Sequence, residues 1–150
     1  MRQLYFSGMV RIELMSWDKA REAARPIRLT VFVEEQRVPV EIEWDDEDVK
    51  SIHALAYDTQ GAAIATGRLL PDGHIGRMAV LKAWRGQGVG SAILERLIEV
   101  ARERGDREIE LFAQTHAIPF YRKFGFAEHG EIFEEAGIPH QAMRRQLSER

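Results

Sequence analysis

A glycine-rich turn holds the residues of this chain that are best suited to bind a ligand. Gly86, Gly88 and Gly90 alternate with larger residues between Arg85 and Ser91, directly before an apolar stripe of helical spacing. The first N–H groups of a helix have no intrahelical partner and carry the positive end of its dipole. A helix that begins with glycines therefore favours an anion such as phosphate, and Arg85 can add a guanidinium at the rim. The structural alternative is a sharp strand-to-helix turn with a solvated arginine.

A short strand and an amphipathic helix must position this turn. The strand is predicted over Ile75–Val80, a mainly apolar run that is followed by turn residues. One face of the helix carries the apolar residues Val89, Ile93, Leu94, Leu97, Ile98 and Ala101. Their spacing fits the period of an α-helix. Gly105 stands where a left-handed C-terminal cap is needed.

Two other phosphate-binding motifs fit the turn less well. The P-loop requires Gly-Lys-Ser/Thr, whereas this turn ends in Gly90-Ser91. A dinucleotide fingerprint normally opens a domain on its first strand, whereas about half of the chain precedes this turn. Glu108 and Glu110 do lie near the distance at which that fingerprint places an acid, so a dinucleotide site stays a weaker alternative.

The turn and its flanking elements resemble the acyl-CoA signature of the GNAT N-acetyltransferase superfamily. That signature is Arg/Gln-x-x-Gly-x-Gly/Ala, which Arg85, Gly88 and Gly90 match. In the family, amides of the turn hold the coenzyme A pyrophosphate, and the preceding strand lends main-chain groups to the pantetheine arm. The residues that the resemblance implies for acetyl-CoA binding are Met78, Ala79, Val80, Arg85, Gly86, Gln87, Gly88, Val89, Gly90 and Ser91.

A second signature of the family follows the next predicted strand, residues 108–112. It comprises Phe120-Tyr121-Arg122-Lys123-Phe124 on a short helix that Gly125 ends. Members of the family place a tyrosine here that hydrogen-bonds or protonates the sulfur as the thiolate leaves. The resemblance therefore implies that Tyr121 is the catalytic residue. Its structural alternative is an aromatic ring packed at a helix–sheet seam.

The resemblance also implies the fold. We expect one α/β (α+β) domain over residues 1–150 with the GNAT fold. Its mixed central sheet would have roughly six to seven strands, accompanied by about four helices, and strands 4 and 5 (75–80 and 108–112) would be parallel and splayed. The residues at 31–36, Trp44-Asp45 and a terminal segment of two strands around a Gly/Pro loop, 130–143, are similar to the ElaA-like branch of the superfamily.

Two charged features of the sequence concern the region where an acceptor substrate would bind. Residues 34–48 carry eight carboxylates, which predicts a solvated loop; the functional alternative is a mouth whose field attracts a cationic amine. The turn residues at 71–74 predict a hairpin in which Arg68 faces Arg77. Two facing guanidinium groups repel each other, so they require an acid such as Glu110, or an anionic ligand, between them.

The reaction that the resemblance implies is direct attack of a primary amine, of a small molecule or peptide, on acetyl-CoA. An alkylammonium group with a pKa of about 10 must first lose a proton. Candidates for the base are His53, His116, His140, Glu34 and Glu43, each of which also has a structural explanation. The alternatives are a catalytically inactive acyl-CoA-binding sensor and a protein-interaction domain.

The composition excludes several other classes. The chain has no cysteine, so it offers neither disulfides nor a thiol nucleophile, and no two histidines stand at helical ligand spacing, so we expect no metal. A net charge of −3 without a basic tract argues against a nucleic-acid partner. No apolar run has the length of a membrane span, so we expect a cytoplasmic protein without a membrane partner.

Two further expectations concern the ends of the chain and its assembly. Residues 1–8 resemble the remnant of a protease tag, so we leave them out of the fold as a leader and take Met9 as the natural start. Many relatives pair through terminal strands, so a homodimer is the default expectation.

Overall fold

Eight β-strands and four α-helices make up this computed structural model, which describes residues 3–7 and 10–147. The strands are β1 (Gln3–Ser7), β2 (Val10–Met15), β3 (Ile52–Tyr57), β4 (Ala63–Leu69), β5 (Ile75–Val80), β6 (Glu108–Gln114), β7 (Ala127–Glu135) and β8 (Ile138–Gln146). The α-helices are α1 (Trp17–Arg28), α2 (Val40–Glu43), α3 (Val89–Glu103) and α4 (Ile118–Arg122). A π-helical segment, Leu29–Glu35, continues α1, and 3₁₀ turns span Asp48–Lys50, Lys82–Trp84 and Thr115–Ala117.

The strands form two sheets, which agrees with the expected α+β class. Five strands pair in the order β1-β2-β3-β4-β5, and three pair in the order β6-β8-β7. Strand β1 lies within the leader that we left outside the fold, and it pairs antiparallel with β2. An edge strand has unpaired backbone groups, so β2 offers a template for one more strand. The expected natural start, Met9, lies outside the described residues.

Helices α1 and α3 cover opposite faces of the larger sheet. Leu55 of β3 packs with the apolar side of α1, whereas its neighbours Ala54 and Ala56 pack with α3. This alternation follows from the two-residue period of a strand. All six residues of the apolar stripe predicted for α3 are buried, and Gly105 adopts the left-handed conformation expected of its cap. Within the described part of the chain, no helix combines the length and apolarity that membrane crossing requires.

The first helix changes its winding after a proline. Pro26 lies inside α1, where it removes one backbone N–H from the hydrogen-bond ladder. The π-helical segment begins after Arg28, and Gln36 N–H then donates to the carbonyl of Val31 at 3.1 Å. Pro26 therefore precedes a change from α- to π-helical winding.

Strand β5 contains a bulge that the sequence did not predict. Arg68 pairs with Gly76 and Thr66 pairs with Ala79, so two residues of β5 oppose Gly67. Arg77 takes up the extra length with a φ of 49°, in the left-handed region.

The predicted register of this hairpin was wrong by one residue. Leu70 N–H donates to the carbonyl of His74 at 2.8 Å, which pairs these residues and leaves a three-residue loop. Gly73 at the end of that loop has a φ of 93°, the left-handed conformation that such loops require. Arg68 consequently lies opposite Gly76 instead of Arg77.

The two sheets meet at a single bridge. His74 and Glu110 form an isolated parallel bridge, in which Glu110 N–H donates to the carbonyl of Gly73 at 3.1 Å. Among the described residues no longer ladder joins β5 to β6, and the expected parallel, splayed arrangement of these two strands stays a prediction. The bulge at Arg77 lies three residues after this bridge, beyond which the described residues show no further backbone pairing between β5 and β6.

The C-terminal elements follow the prediction more closely. Pro119 lies in the first turn of α4, and Gly125 just beyond the helix has a φ of 86°. Strands β7 and β8 form the expected hairpin around Ala136 and Gly137, which both have positive φ. The core face of β6 buries Ile109, Leu111 and Ala113 in the same cluster as Met143 and the apolar face of α3.

Candidate active site

The predicted phosphate turn has an open backbone. Gly86 and Gly88 have φ values of 77° and 84°, which residues with side chains rarely adopt, and a Cβ atom on either would meet nothing within 4 Å. Gly88 is the N-cap of α3, and no side chain caps this helix end. The first N–H groups of α3 are thus available beside open space, which is what an anion requires.

The turn lies beside the end of β5 and the start of α4. A Cβ on Gly90 would lie 3.6 Å from a methyl group of Val80 and 3.9 Å from the Phe120 ring. Phe120 in turn contacts Tyr121, with ring centroids 5.1 Å apart. The glycine turn, the strand end and the helix that carries the tyrosine therefore form one contiguous region.

Arg85 is engaged away from the turn. Its Nε donates to the carbonyl of Val80 at 2.9 Å, and its Nη2 lies 2.6 Å from Oε1 of Glu35. We predicted a guanidinium at the rim of the phosphate site, and in this structure that group instead joins β5 to the end of the π-helical segment. Its role in phosphate binding stays a prediction.

Tyr121 is held among aromatic rings. Its ring packs edge-on against Phe120 and against Phe126, at centroid distances of 5.1 and 6.1 Å. Burial raises the pKa of Tyr121 to about 12, so the hydroxyl keeps its proton throughout the neutral range. A protonated phenol can donate to a developing anion, which is the role predicted for it.

A cavity of about 630 Å³ adjoins Tyr121. Its walls come from β5 at the bulge, the outer side of β6, the acidic segment and the turn between β7 and β8. Met78 also lines it, whereas none of the residues 79, 80 and 85–91 does so. The predicted coenzyme residues and this cavity are therefore neighbouring regions that share Met78, and the predicted catalytic residue Tyr121 lines the cavity.

The acidic segment is only in part the solvated loop that we predicted. Glu43 and Asp48 are 2% and 3% exposed, and Arg28 between them is 1% exposed. Arg28 forms an ion pair with Glu43 and approaches Asp48 with Nη1 at 2.8 Å. Burial raises the pKa of Glu43, although Arg28 opposes this shift. The predicted solvent exposure is wrong for Glu43 and Asp48, because a local run of carboxylates does not indicate that an arginine distant in sequence will pair with two of them in the interior.

Asp45 of the same segment lies between Arg68 and Arg77. Its two oxygens accept from Arg68 at 2.7 and 2.8 Å, and one also lies 3.1 Å from Nη2 of Arg77. Burial alone would raise the pKa of Asp45, but the hydrogen bonds and charge of Arg68 lower it overall. The two guanidinium groups are therefore bridged by an acid as expected, but the acid is Asp45.

Glu110, which we had named as that acid, serves another group. Its carboxylate accepts from His74, His129 and Arg144, each at 2.7 Å. Burial would raise the pKa of Glu110, but these three donors lower it overall. Glu110 is displaced from the arginines because it lies on β6, whose bridge to the larger sheet, among the described residues, is at His74 just before β5.

The candidate bases are dispersed. Glu43, His116 and His140 line the cavity, whereas His53 and Glu34 do not. His53 is buried, packs against Trp17, and shares a 2.8 Å hydrogen bond with the carbonyl of Asp48, so its role is structural. Burial lowers its pKa.

Sequence reasoning missed several cavity residues. His74 lies at the sheet junction, with Nδ1 3.0 Å from Asp72 and Nε2 2.7 Å from Glu110. Phe112 packs against His74 and Phe133 and is half-exposed. The outward alternation of β6 could have indicated Phe112, but no local signal brings the hairpin of β7 and β8 over it.

Comparison with known proteins places these features in a family. A family model described as an acetyltransferase (GNAT) domain matches residues 21–147. YjcF of Bacillus subtilis (strain 168), named as an uncharacterized N-acetyltransferase, is 39% identical over 122 residues, which cover 79% of this chain and 87% of YjcF. The protein ElaA of Escherichia coli (strain K12) is 34% identical over 129 residues, covering 81% of this chain and 84% of ElaA.

Solved structures agree with this placement. The crystal structure of Escherichia coli ElaA has a TM-score of 0.82 at 29% identity, covering 92% of this chain and all of ElaA, 100%. A GNAT family acetyltransferase from Elizabethkingia anophelis, solved with acetyl-CoA bound, has the same fold with a TM-score of 0.69 at 18% identity, covering 94% of this chain and 100% of the other. These likenesses confirm the predicted GNAT fold and the similarity to ElaA. On this evidence the chain belongs to the GNAT acetyltransferase family.

Proposed function

We propose that this protein is an N-acetyltransferase that transfers the acetyl group of acetyl-CoA to a primary amine of a small molecule or peptide. The observation that carries the proposal is the position of Tyr121, a phenol that stays protonated at neutral pH on the wall of a large cavity. On its other side, through Phe120, lies the open glycine turn. Phe120 and Tyr121 thus lie between the glycine turn proposed to bind phosphate and the cavity proposed to hold the acceptor.

The turn suits the phosphates of a coenzyme. The uncapped first turn of α3 and the empty space in front of Gly86 and Gly88 would hold them, and main-chain groups of 78–80 would hold the pantetheine arm. Acetyl-CoA supplies an activated thioester when it is bound. A relative from Elizabethkingia anophelis binds acetyl-CoA in the same fold, which supports this choice.

The cavity suits a cationic acceptor. Five carboxylates and two guanidinium groups line it: Glu43, Asp45, Glu47, Asp72 and Glu135, with Arg68 and Arg77. This excess of negative charge attracts ammonium groups to the mouth and disfavours anionic acceptors. The inactive alternatives, a sensor or an interaction domain, have no need of a protonated phenol in such a cavity, and we do not adopt them.

Calorimetric titration with acetyl-CoA is the first test, with coenzyme A and NAD as comparisons. We expect saturable binding of acetyl-CoA and none of NAD. Coenzyme A release is then followed with polyamines, amino sugars and peptide N-termini as acceptors. Absence of acetyl-CoA binding would contradict the coenzyme assignment, whereas binding without transfer to any amine would favour the sensor.

The variant Tyr121→Phe tests the tyrosine. Loss of a general acid typically costs about 10²-fold or more in rate, so we expect kcat to fall by roughly that factor while acetyl-CoA affinity is retained. Tyr57→Phe is the matched control, because Tyr57 lies on β3 and does not line the cavity. Equal rates for Tyr121→Phe and the unmodified protein would remove Tyr121 from the mechanism.

A further inference from the structure

The proposed reaction, on which this inference rests, needs a group that takes a proton from the acceptor ammonium. A suitable base lines the cavity and, in its unprotonated form, has a lone pair that no other group occupies. Glu43 lines the cavity, but one carboxylate oxygen pairs with Arg28 and the other lies 3.2 Å from Nε of Arg77. Both of its oxygens are thus committed to guanidinium groups.

Two of the cavity histidines are also poorly suited. His74 lies with Nδ1 3.0 Å from Asp72 and Nε2 2.7 Å from Glu110. Both ring nitrogens of His74 are thus engaged with carboxylates and are not open to a proton of the acceptor. His116 is exposed, and no ring hydrogen bond fixes its tautomer among the described residues.

His140 has the geometry that the others lack. Its Nδ1 lies 2.7 Å from the carbonyl oxygen of Ile138. A carbonyl can only accept, so Nδ1 carries the proton, and in the neutral ring Nε2 is left as an unprotonated acceptor. The ring stacks on Phe133, with centroids 5.8 Å apart and planes 22° apart, which holds it in place beside the cavity.

We propose that Nε2 of His140 is the general base of acetyl transfer, acting directly or through one water molecule. It takes one proton from the acceptor ammonium and later passes that proton to solvent. The amine nitrogen then forms its bond to the acetyl carbon as the carbon–sulfur bond breaks, and Tyr121 gives its proton to the sulfur. The second proton lost from the nitrogen restores Tyr121, so the products are an N-acetyl amide, coenzyme A and one proton.

Charged groups on several elements face the same space and influence the base. β7 supplies Glu135, the turn after β6 supplies His116, and α4 supplies Tyr121. The acidic segment supplies Asp45 and Glu47, and β5 supplies Arg77. No ion pair joins Glu135 to any residue in the part of the chain that the structure describes. Its negative charge adds to the field that attracts a cationic acceptor into the cavity.

The decisive experiment compares pH profiles of kcat/KM for the unmodified protein, His140→Gln and His116→Gln, with the amine of the panel that is acetylated fastest. The base must be neutral, so activity falls on the acid side as His140 becomes protonated. We expect His140→Gln to lose this acid limb and about 10²-fold in kcat/KM at neutral pH, with acetyl-CoA affinity unchanged. His116→Gln should keep the limb.

Two additional measurements separate catalysis from structure. Imidazole added to His140→Ala should restore transfer, which a merely structural role would not permit. NMR of the unmodified protein should show the neutral His140 ring protonated at Nδ1. No acetyl transfer by the unmodified protein to any amine would overturn the proposed function together with this base. An unchanged limb in His140→Gln, loss of the limb in His116→Gln, or the Nε2–H tautomer would overturn His140 alone.

Discussion

At the scale of single residues, burial raises the pKa of the Tyr121 hydroxyl and thereby makes the free energy of unfolding depend on pH in alkali. The pKa of Tyr121 is about 12 in the folded chain because burial disfavours the phenolate, whereas a free tyrosine has a pKa of about 10. Below pH 10 the side chain is protonated in both states, so it adds no pH dependence there. Between pH 10 and 12 only the unfolded state loses its proton, which draws the equilibrium towards unfolding.

We therefore predict a loss of stability in alkali that is specific to Tyr121. Over this interval the free energy of unfolding should fall by about 2–3 kcal/mol more in the unmodified protein than in Tyr121→Phe. Urea denaturation of both proteins at several pH values between 9 and 12 measures the difference. Other titrating groups are common to the two proteins, so parallel curves would mean that Tyr121 is not held in a desolvated site.

At the scale of elements, the turn before α3 combines glycines of positive φ with open space around them. Gly88→Asp adds both a side chain and a negative charge at the proposed phosphate site, so we predict that it abolishes acetyl-CoA binding. Gly61→Asp is a matched control, because Gly61 has a φ of 83° against 84° for Gly88 and equally open surroundings. Both variants incur the same backbone strain, and calorimetry should find acetyl-CoA affinity lost only in Gly88→Asp. Retained affinity would contradict the phosphate assignment.

The contact between α1 and the acidic segment depends on one buried arginine. Removal of one member of a buried ion pair leaves uncompensated charge, which costs roughly 3–5 kcal/mol. Arg28→Met leaves Glu43 and Asp48 without this partner, so its free energy of unfolding in urea should fall by about that amount. Arg122→Met, which removes an exposed ion pair with Glu128, should leave the midpoint unchanged. Equal midpoints for the two variants would show that the buried network contributes little.

The sequence predicts elements whose signal is local. The apolar stripe of α3, the cap at Gly105 and the loop around Gly137 all depend on residues close together in the chain, and the structure confirms each of them. The bulge at Arg77 leaves no such signal, because arginine has no preference for positive φ. The burial of Glu43 depends on Arg28, 15 positions earlier in the chain. The run of charged residues alone therefore predicted that Glu43 is exposed to solvent.

The candidate site also has parts that local sequence signals predict and parts that depend on contacts between distant segments. The glycine turn and Tyr121 each lie in a short motif, so their positions beside Val80 and Phe120 could be anticipated from the sequence. The acceptor cavity is assembled from five or more separate segments, and no spacing in the chain records that His140 and Asp45 line the same space. The register of β8 against β6 places His140 beside Gln114, another residue of the cavity wall, and that pairing depends on the tertiary fold.

At the scale of the whole molecule, the two sheets are joined by little backbone pairing. Among the described residues the one bridge between them is His74 with Glu110, supported by the hydrogen bond between their side chains. The proposed coenzyme residues lie at the end of β5 and at the start of α3, whereas Tyr121, proposed to act on the sulfur of the same coenzyme, lies on α4 after β6. A ligand that contacts both sides favours the closed, folded arrangement over any state in which the sheets separate.

Acetyl-CoA should therefore raise the melting temperature of the protein. A ligand at 100 times its Kd stabilises the folded state by about 2.7 kcal/mol, which for a chain of this size corresponds to roughly 5–10 °C. Differential scanning fluorimetry with increasing acetyl-CoA measures the shift, and NAD at the same concentrations should produce none. Gly88→Asp should show no shift, whereas Tyr121→Phe should show the full shift, because in the proposed mechanism the tyrosine acts on the leaving sulfur and the turn binds the phosphates. A shift that survives Gly88→Asp would mean that the coenzyme binds elsewhere on the chain, and the assignment of the turn would have to be abandoned.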